Sequence, residues 1–349
     1  MNLVSVLVCT QEDLNWPNIT VGCHCINIKW QKYGMESKKV QHRVRFVEIN
    51  ANNAGQRIDN FLLNQLKGVP KGHIYKIIRK GEVRVNKGRI KQTYKLQYGD
   101  IVRVPPVSLT AKKAIAAPGL SLLKLMSESI IYEDASLLAI NKPSGVAVHG
   151  GSGVSYGIIE AMRALKPEQK FLELIHRLDK DTSGCLLIAK KRSALIAVQD
   201  LLRNRQTNKR YLALLCGVPE FNKQKVTAPL LREELKSGER FVRVDTQGKE
   251  STSFFTVLER FNNAVLAEVK IITGRTHQIR VHAKYLGHNV AGDSKYGNYA
   301  CNQRLKEKGL KRLFLHSASL SFKHPDSHKT VCIKAPLSAD LETFLAHIK

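Results

Sequence analysis

In the stretch HRLDKDTSGCLLIAKK, residues His176 to Lys191, two carboxylates, two hydroxyls and a glycine sit among bases at the edge of a short apolar run. Asp179, Asp181 and Ser183 fall at positions one, three and five of a calcium loop, with Gly184 at six. The twelfth position then requires a bidentate acid and holds Lys190, which repels the ion, so that reading fails. An acid-x-acid phosphoryl-transfer loop would make Asp179 the nucleophile and Asp181 the acid, but His176 and Arg177 interrupt the buried strand that delivers such a loop. A turn accounts best for Asp181, Thr182 and Ser183, whose side chains bond nearby backbone while Gly184 supplies an unusual φ. Asp179 is flanked by Arg177 and Lys180. A carboxylate held ionised by cations is a nucleophile or an ordinary ion pair, and its neighbours divide evenly between the two.

The elements that position this stretch must come from the rest of the chain. Its 349 residues, 43% of them hydrophobic, suggest about two domains and a substantial core. Lys and Arg outnumber Asp and Glu by 56 to 29, a net charge of +27 that points to a polyanionic partner. Nucleic acid is favoured over a lipid surface, because the chain carries no lipid-anchor motif, basic amphipathic stretch or 18-residue apolar run. No membrane partner is expected.

Seven cysteines lie at positions 9, 23, 25, 185, 216, 301 and 332. An odd count without CxxC predicts reduced thiols rather than a disulfide frame, and a cytoplasmic protein. The Cys23–Cys25 trio CHC lacks a second ligand cluster, so no metal is expected. MNLVSVLV has the wrong flanks for a signal peptide, and periodic sequence begins only after Met35. Residues 1–45 therefore read as an extension, with a working start near Met35.

Residues 46–106 form a small basic unit whose Gly55–Pro106 portion has twelve Lys/Arg and three acids. Ile58, Phe61, Leu62 and Leu66 recur at helical spacing, as do Ile74, Ile77 and Ile78, with Gly81 where the second helix ends. EVRVN and DIVRVPP read as strands, with a glycine turn at NKG between them. Residues 107–127 look like a linker. From 128 to 349 short strands dominate: SLLAINKPSG, GCLLIAKK, RYLALLCG, AVLAEVKII and RLFLHSASLSF. SALIAVQDLLRNRQ reads as a helix with Ser193 as a possible cap. Strands outnumber helices and strict βα alternation is rare, which predicts an α+β class with a mixed, largely antiparallel sheet.

HRLDKDTSG resembles the catalytic motif of the RluA-type pseudouridine synthases. INKPSGVAVHGG (Ile140–Gly151) is similar to that family's lysine-proline motif, KRYLALLCG (Lys209–Gly217) to its tyrosine motif and TGRTHQIRVH (Thr273–His282) to its arginine motif. RLFLHSASLSF is similar to its C-terminal strand, and the motifs keep the family's order. The basic unit resembles the S4 RNA-binding domain. Within the family, the likeness is strongest to the bacterial branch that acts on large-subunit ribosomal RNA. Cys185 stands where an aliphatic residue is usual and Asn289 where proline is common, the latter expected to loosen one turn.

The resemblance implies isomerisation of uridine to pseudouridine without cofactor or metal, by a monomer acting on large-subunit ribosomal RNA or a pre-ribosomal particle. It assigns Asp179 as the catalytic carboxylate, Arg280 as its ion-pair partner and Tyr211 as the group against the uracil, able to help remove the C5 proton. Arg177 would fill the place of the flipped-out base, and Lys142, counted among the RNA-binding residues, would with Pro143 shape the pocket floor rather than perform chemistry. Arg57, Lys76, Arg79, Lys80, Arg84 and Lys87 would meet RNA from the basic unit. A phosphate contact in a basic strand is the other reading of Arg280, and a core aromatic that of Tyr211. His149, His277 and His282 read as structural or RNA-facing. A non-catalytic RNA-binding or ribosome-assembly factor and a tRNA-modifying relative are the alternatives. The intact Asp179, Tyr211 and Arg280 speak against the first, and the basic unit speaks against the second.

Overall fold

A computed structural model describes residues 44–66, 69–107, 119–150, 156–234 and 240–349. The expected start at Met35, the CHC trio and most of the expected extension lie outside these. In the basic unit, β1 (Arg45–Glu48), α1 (Ile58–Gln65), α2 (Lys71–Arg79), β2 (Arg84–Val85), β3 (Gly88–Arg89) and β4 (Ile101–Val104) follow in order. The strands pair as β1-β4-β2-β3. Ile58, Phe61 and Leu62 of α1 and Ile74, Ile77 and Ile78 of α2 are buried with Val85, Val102 and Val104 in one core. At the end of α2, Gly81 adopts φ +73 while its N–H bonds the Ile78 carbonyl at 3.0 Å and that of Glu82 bonds Ile77 at 3.0 Å. Those two bonds satisfy the last carbonyls and need a residue free to enter the left-handed region. At the NKG turn the positive φ values fall on Asn86 and Lys87, and Gly88 already begins β3.

The stretch read as a linker is partly helical. In α3 (Leu120–Glu128), Met126 is buried, and Leu122 and Leu123 pack on the neighbouring core. Then come β5 (Ile130–Glu133), β6 (Leu137–Lys142), α4 (Ile158–Leu165), β7 (Glu173–Leu174), β8 (Ser183–Ala189), α5 (Arg192–Arg203) and β9 (Asn208–Cys216). The order continues with β10 (Lys223–Thr227), β11 (Leu230–Glu234), β12 (Arg240–Val244), β13 (Thr252–Phe261) and β14 (Ala264–Ile271). The chain closes with α6 (Gln278–Tyr285), α7 (Tyr299–Glu307), β15 (Leu315–Lys323), β16 (Thr330–Lys334) and α8 (Ala339–Ile348).

The large sheet runs β10-β13-β14-β9-β15-β8-β6-β5, with β16 on β15 and β7 on β8; β11 and β12 form a separate hairpin. β15 and β8 pair in parallel and the other pairs of this sheet are antiparallel, as the α+β reading expected. Both faces of the centre are covered. Leu138, Ile140, Leu186 and Ile188 pack with Ile158, Ile159 and Met162 of α4. The alternate residues Leu137, Ala139, Leu187 and Ala189 pack with Ala194 and Val198 of α5. Strands covered on both sides read as unbroken apolar runs, which is why β6 and β8 stand out in the sequence.

Two local readings are corrected. The N-cap of α5 is Lys191, without a side-chain cap, and Ser193 lies inside the first turn. Cys216 and Cys301 form a disulfide where reduced thiols were expected; Cys185 and Cys332 are free. The end of β9 and the first turn of α7 meet in one core with Leu214, Leu305 and Phe314, bringing the two Cα atoms to 6.2 Å. A pairing across 85 residues follows from packing and leaves no mark in local spacing.

Candidate active site

Asp179 lies in the tight turn before β8, where the Thr182 N–H bonds its carbonyl at 3.2 Å. Gly184 has φ +106, and a Cβ there would stand 2.3 Å from the Ser317 carbonyl oxygen. Only glycine lets β8 approach β15 this closely. In register, Ser317 faces Gly184 on one side and Tyr211 on the other, so the Asp179 turn, β15 and the Tyr211 strand are neighbours. Asp179, Arg177, Leu178, Tyr211, His277 and Arg280 line a cavity of about 80 Å³.

The alternative reading of Arg280 placed TGRTHQIRVH in a basic strand, but its second half, from Gln278, is the start of α6. His277 enters the helix at φ +54 and the Gln278 carboxamide closes the preceding turn. Gln278 Oε1 accepts from the Thr273 hydroxyl at 2.8 Å and the Arg275 N–H at 3.0 Å. Every residue from Gln278 to Ala283 is buried, so neither face carries a polar stripe to betray helical period.

The helix presents Arg280 to two carboxylates. Its primary partner is Asp293, which the sequence reading missed: Nε meets Oδ2 at 2.7 Å and Nη2 meets Oδ1 at 2.7 Å. Asp179 lies farther away, with Oδ2 3.7 Å from Arg280 Nη1. The expected Asp179–Arg280 pair is therefore an outer contact of a guanidinium already clamped elsewhere. Burial opposes the Arg280 charge, but the hydrogen bonds and charge of Asp293, helped by Asp179, outweigh it and raise its pKa. Burial likewise opposes the Asp293 charge, and Arg280 together with the Tyr296 and Lys295 amides holds its carboxyl below the usual range. A cation fixed in this way offers a directed field to Asp179 without collapsing onto it.

His277 and Tyr296 complete the wall. The Tyr296 hydroxyl accepts the Val242 N–H at 3.0 Å and lies 2.7 Å from His277 Nδ1, with the Arg280 guanidinium 5.0 Å from its ring centroid. When the phenol donates to Nδ1, the neutral ring carries its proton on Nε2, 3.8 Å from Asp179 Oδ2. Burial lowers the His277 pKa against the Asp179 charge, which favours that neutral ring. Burial also pushes the Tyr211 phenol up out of its ordinary range, against a hydrogen bond to Ser317, so it keeps its proton at neutral pH. His282 is fully buried, bonded to Ser253 Oγ at 2.9 Å and the Ala228 carbonyl at 3.1 Å, and is structural.

Lys142 cannot touch RNA as expected: it is 0% exposed and Nζ donates to the carbonyls of Pro143 and Lys180, both at 2.8 Å. It ties the end of β6 to the residue after Asp179. Burial pulls its pKa down to about 7, opposed by Asp181 and Asp179. Between that value and roughly 10.4 in the unfolded chain, the unfolded state binds the extra proton, so stability rises with pH. Lys142→Met loses this dependence. In denaturant titrations, the stability of the natural protein relative to the variant is expected to climb by up to about 1.4 kcal/mol per unit from pH 7 to pH 10.

Arg177 is exposed at the cavity lip. In the basic unit Lys76, Arg79, Lys80, Arg84 and Lys87 are exposed, while Arg57 is bound to Asp59 at 2.7 Å. Asn289, expected to loosen a turn, instead ties one. Its Nδ2 donates to the Tyr296 carbonyl and its own carbonyl accepts the Cys216 N–H at 2.8 Å.

Residues 136–285 match the RNA pseudouridylate synthase family model and residues 56–102 the S4 domain model. The ribosomal large subunit pseudouridine synthase C of Haemophilus ducreyi is 52% identical over 311 residues, 89% of this chain and 97% of that protein. The chain belongs to the RNA pseudouridine synthase family. The protein of the same name from Escherichia coli is 52% identical to this synthase over 309 residues, covering 88% of this chain and 97% of its own length. Among solved structures, human RNA pseudouridylate synthase domain containing 4 matches with TM-score 0.55 and 27% identity, over 65% of the synthase and 95% of that chain.

Proposed function

We propose that this synthase isomerises specific uridines to pseudouridine in large-subunit ribosomal RNA, with Asp179 as the reacting carboxylate. The observation that carries the reading is the convergence of Asp179, Tyr211 and Arg280 on one cavity. The reaction breaks the N1–C1′ bond, turns the uracil, joins C5 to C1′, and moves the C5 proton away as N1 regains one. Atoms and electrons are conserved, so no co-substrate is consumed. Asp179 stabilises or attacks C1′ as the base departs, and the clamped Arg280 holds a fixed positive charge beside it. Tyr211 packs against the free uracil. Burial keeps its phenol protonated, which argues for holding the ring rather than for drawing the C5 proton as a ready base. Arg177 fills the place the flipped uridine leaves, its planar guanidinium stacking on neighbouring bases.

The S4 unit brings affinity. Its exposed Lys76, Arg79 and Lys80 lie on and just after α2 and meet phosphate rather than base edges. Replacing all three by alanine is expected to weaken binding on every RNA tested and to lower the salt slope by roughly 2–3. Titrations at several salt concentrations check this. The protein works as a cytoplasmic monomer, on ribosomal RNA free or within an assembling particle. The direct test is incubation with unmodified large-subunit ribosomal RNA transcript, then carbodiimide treatment and reverse transcription. New stops at discrete uridines support the reading. Tight binding without stops, on transcript and on assembling particles alike, would replace it with a binding factor.

A further inference from the structure

A second cavity, of about 450 Å³, adjoins the first and shares Arg177, Tyr211 and Arg275 with it. Its wall holds His176, Arg177, Arg203, Arg205, Lys209 and Arg275, and no carboxylate of the described residues lines it. Most of these cations are engaged elsewhere. Arg203 pairs with Asp200 at 2.8 Å, Arg205 with Glu250 at 2.9 Å, and Arg275 Nε donates to the Glu250 carbonyl at 3.2 Å. Lys209 differs: among the described residues no carboxylate lies within ion-pair distance of it. It sits two residues before Tyr211 on the same face of β9, paired with Ile271 on one side and Leu320 on the other. Its ammonium reaches the turn before α6, where a Cβ on Gly274 would lie 3.7 Å from Nζ. Burial alone pulls its pKa down to about 8, with no anion opposing the shift.

An ammonium withdrawn from water without a counter-ion is costly, and the cost is recovered only when a ligand brings the negative charge. Along a strand, side chains two apart on one face stand about 6.6–6.8 Å apart. A uracil against Tyr211 thus puts the adjoining sugar-phosphate within reach of Lys209. We propose that Lys209 and this cavity form a subsite for an RNA backbone phosphate flanking the target uridine. The proposal rests on the synthase reading above.

The test uses the full-length protein, the unmodified large-subunit ribosomal RNA transcript, and the variants Lys209→Met and Lys209→Arg. Loss of one charge-assisted contact is expected to weaken binding by Lys209→Met about tenfold or more and to lower the salt slope by about 1, with Lys209→Arg restoring both. Between about pH 7 and about pH 8.8 the natural protein loses affinity as Lys209 deprotonates, whereas Lys209→Arg stays flat. His176 and Tyr211, which also face this ammonium, each hold one protonation state across that range. His176 is neutral, its pKa pushed down to about 4, and the Tyr211 phenol stays protonated; the remaining charged groups there are Arg177, Arg203, Arg205 and Arg275, with Asp200 and Glu250 paired to two of them. Ethylation interference is expected to reveal one phosphate beside the target whose blocking hurts the natural protein and leaves Lys209→Met unaffected. Unchanged affinity, or a loss of affinity with unchanged salt and pH profiles, overturns the subsite and assigns Lys209 to packing. Absence of pseudouridine with the natural protein overturns the parent reading instead, while the binding profiles still decide whether Lys209 meets phosphate.

Discussion

Asp179→Ala protein is expected to bind the large-subunit transcript within about threefold of the natural affinity and to lose at least about 10⁴-fold in single-turnover pseudouridine formation. The separation arises because Asp179 is the one carboxylate among the described residues lining its cavity, beside Arg177, Arg275 and Arg280. Its removal costs RNA no contact and takes away a group that opposes phosphate. On the proposed reading, what disappears is the carboxylate that would stabilise or attack C1′ as the glycosidic bond breaks. Asp179→Asn sharpens the result. The amide keeps nearly the same shape in the turn, so an equal loss assigns the effect to charge rather than to the fold. Asp179 is 21% exposed and makes only long ion pairs, at 3.7 Å to Arg280 and 3.8 Å to His277, so both variants should unfold close to the natural midpoint. Pseudouridine forming at more than about a hundredth of the natural rate in both would remove Asp179 from the chemistry.

The largest stability loss is expected at Asp293, not at Asp179. Asp293→Asn removes the anion from a guanidinium whose side chain is 7% exposed, and an asparagine cannot accept both of its forked hydrogen bonds. Breaking one side of a buried pair typically costs about 3–5 kcal/mol. The released Arg280 then has Asp179 as its nearest carboxylate, so activity falls in whatever fraction remains folded. The pH dependence carries a sign. Asp293 has a depressed folded pKa, so its contribution is complete above the unfolded value of roughly 3.9 and is lost as pH falls through the lower folded value. Urea titrations should show a constant gap between natural and variant proteins from pH 5 upward, narrowing below about pH 4. A gap that widens on acidification would show that the clamp is not the source of the stability.

Much of this arrangement is legible in residue order, where the signal is local. Period three to four in the basic unit locates α1 and α2, and Gly81 ends α2 through a backbone conformation that glycine enters freely. Gly184 was expected to need an unusual φ, and the approach of β15 explains why. What escaped depends on contacts remote in sequence or on burial without a pattern. Ile279 and Val281 alternate with Arg280 and His282, which imitates a strand because the helix is buried all round. Asp293 lies thirteen residues beyond Arg280 in a turn, and nothing about a lone aspartate announces its partner. The lysine-proline motif puts Lys142 at the pocket floor among the RNA contacts, and its burial, with its donors spent on two backbone carbonyls, is not visible in that motif. The helical end of the expected linker was hidden by the Pro-Gly pair before it, although Leu122 and Met126 carry the helical spacing.

The pairing of β8 with β15 has a consequence for the order in which the protein becomes competent during synthesis. The Ser183 hydroxyl and His316 Nδ1, 2.9 Å apart, are separated by 133 residues of chain. Strands β8 and β9 are not paired with each other; β15 is inserted between them. A nascent chain can build the S4 unit from near-neighbour contacts and hold RNA early, yet the wall behind the cavity closes only when nearly the whole polypeptide has emerged. On the proposed reading, RNA capture would precede catalytic competence on the ribosome that is making the enzyme. A chain released before Leu315 would occupy its target without converting it.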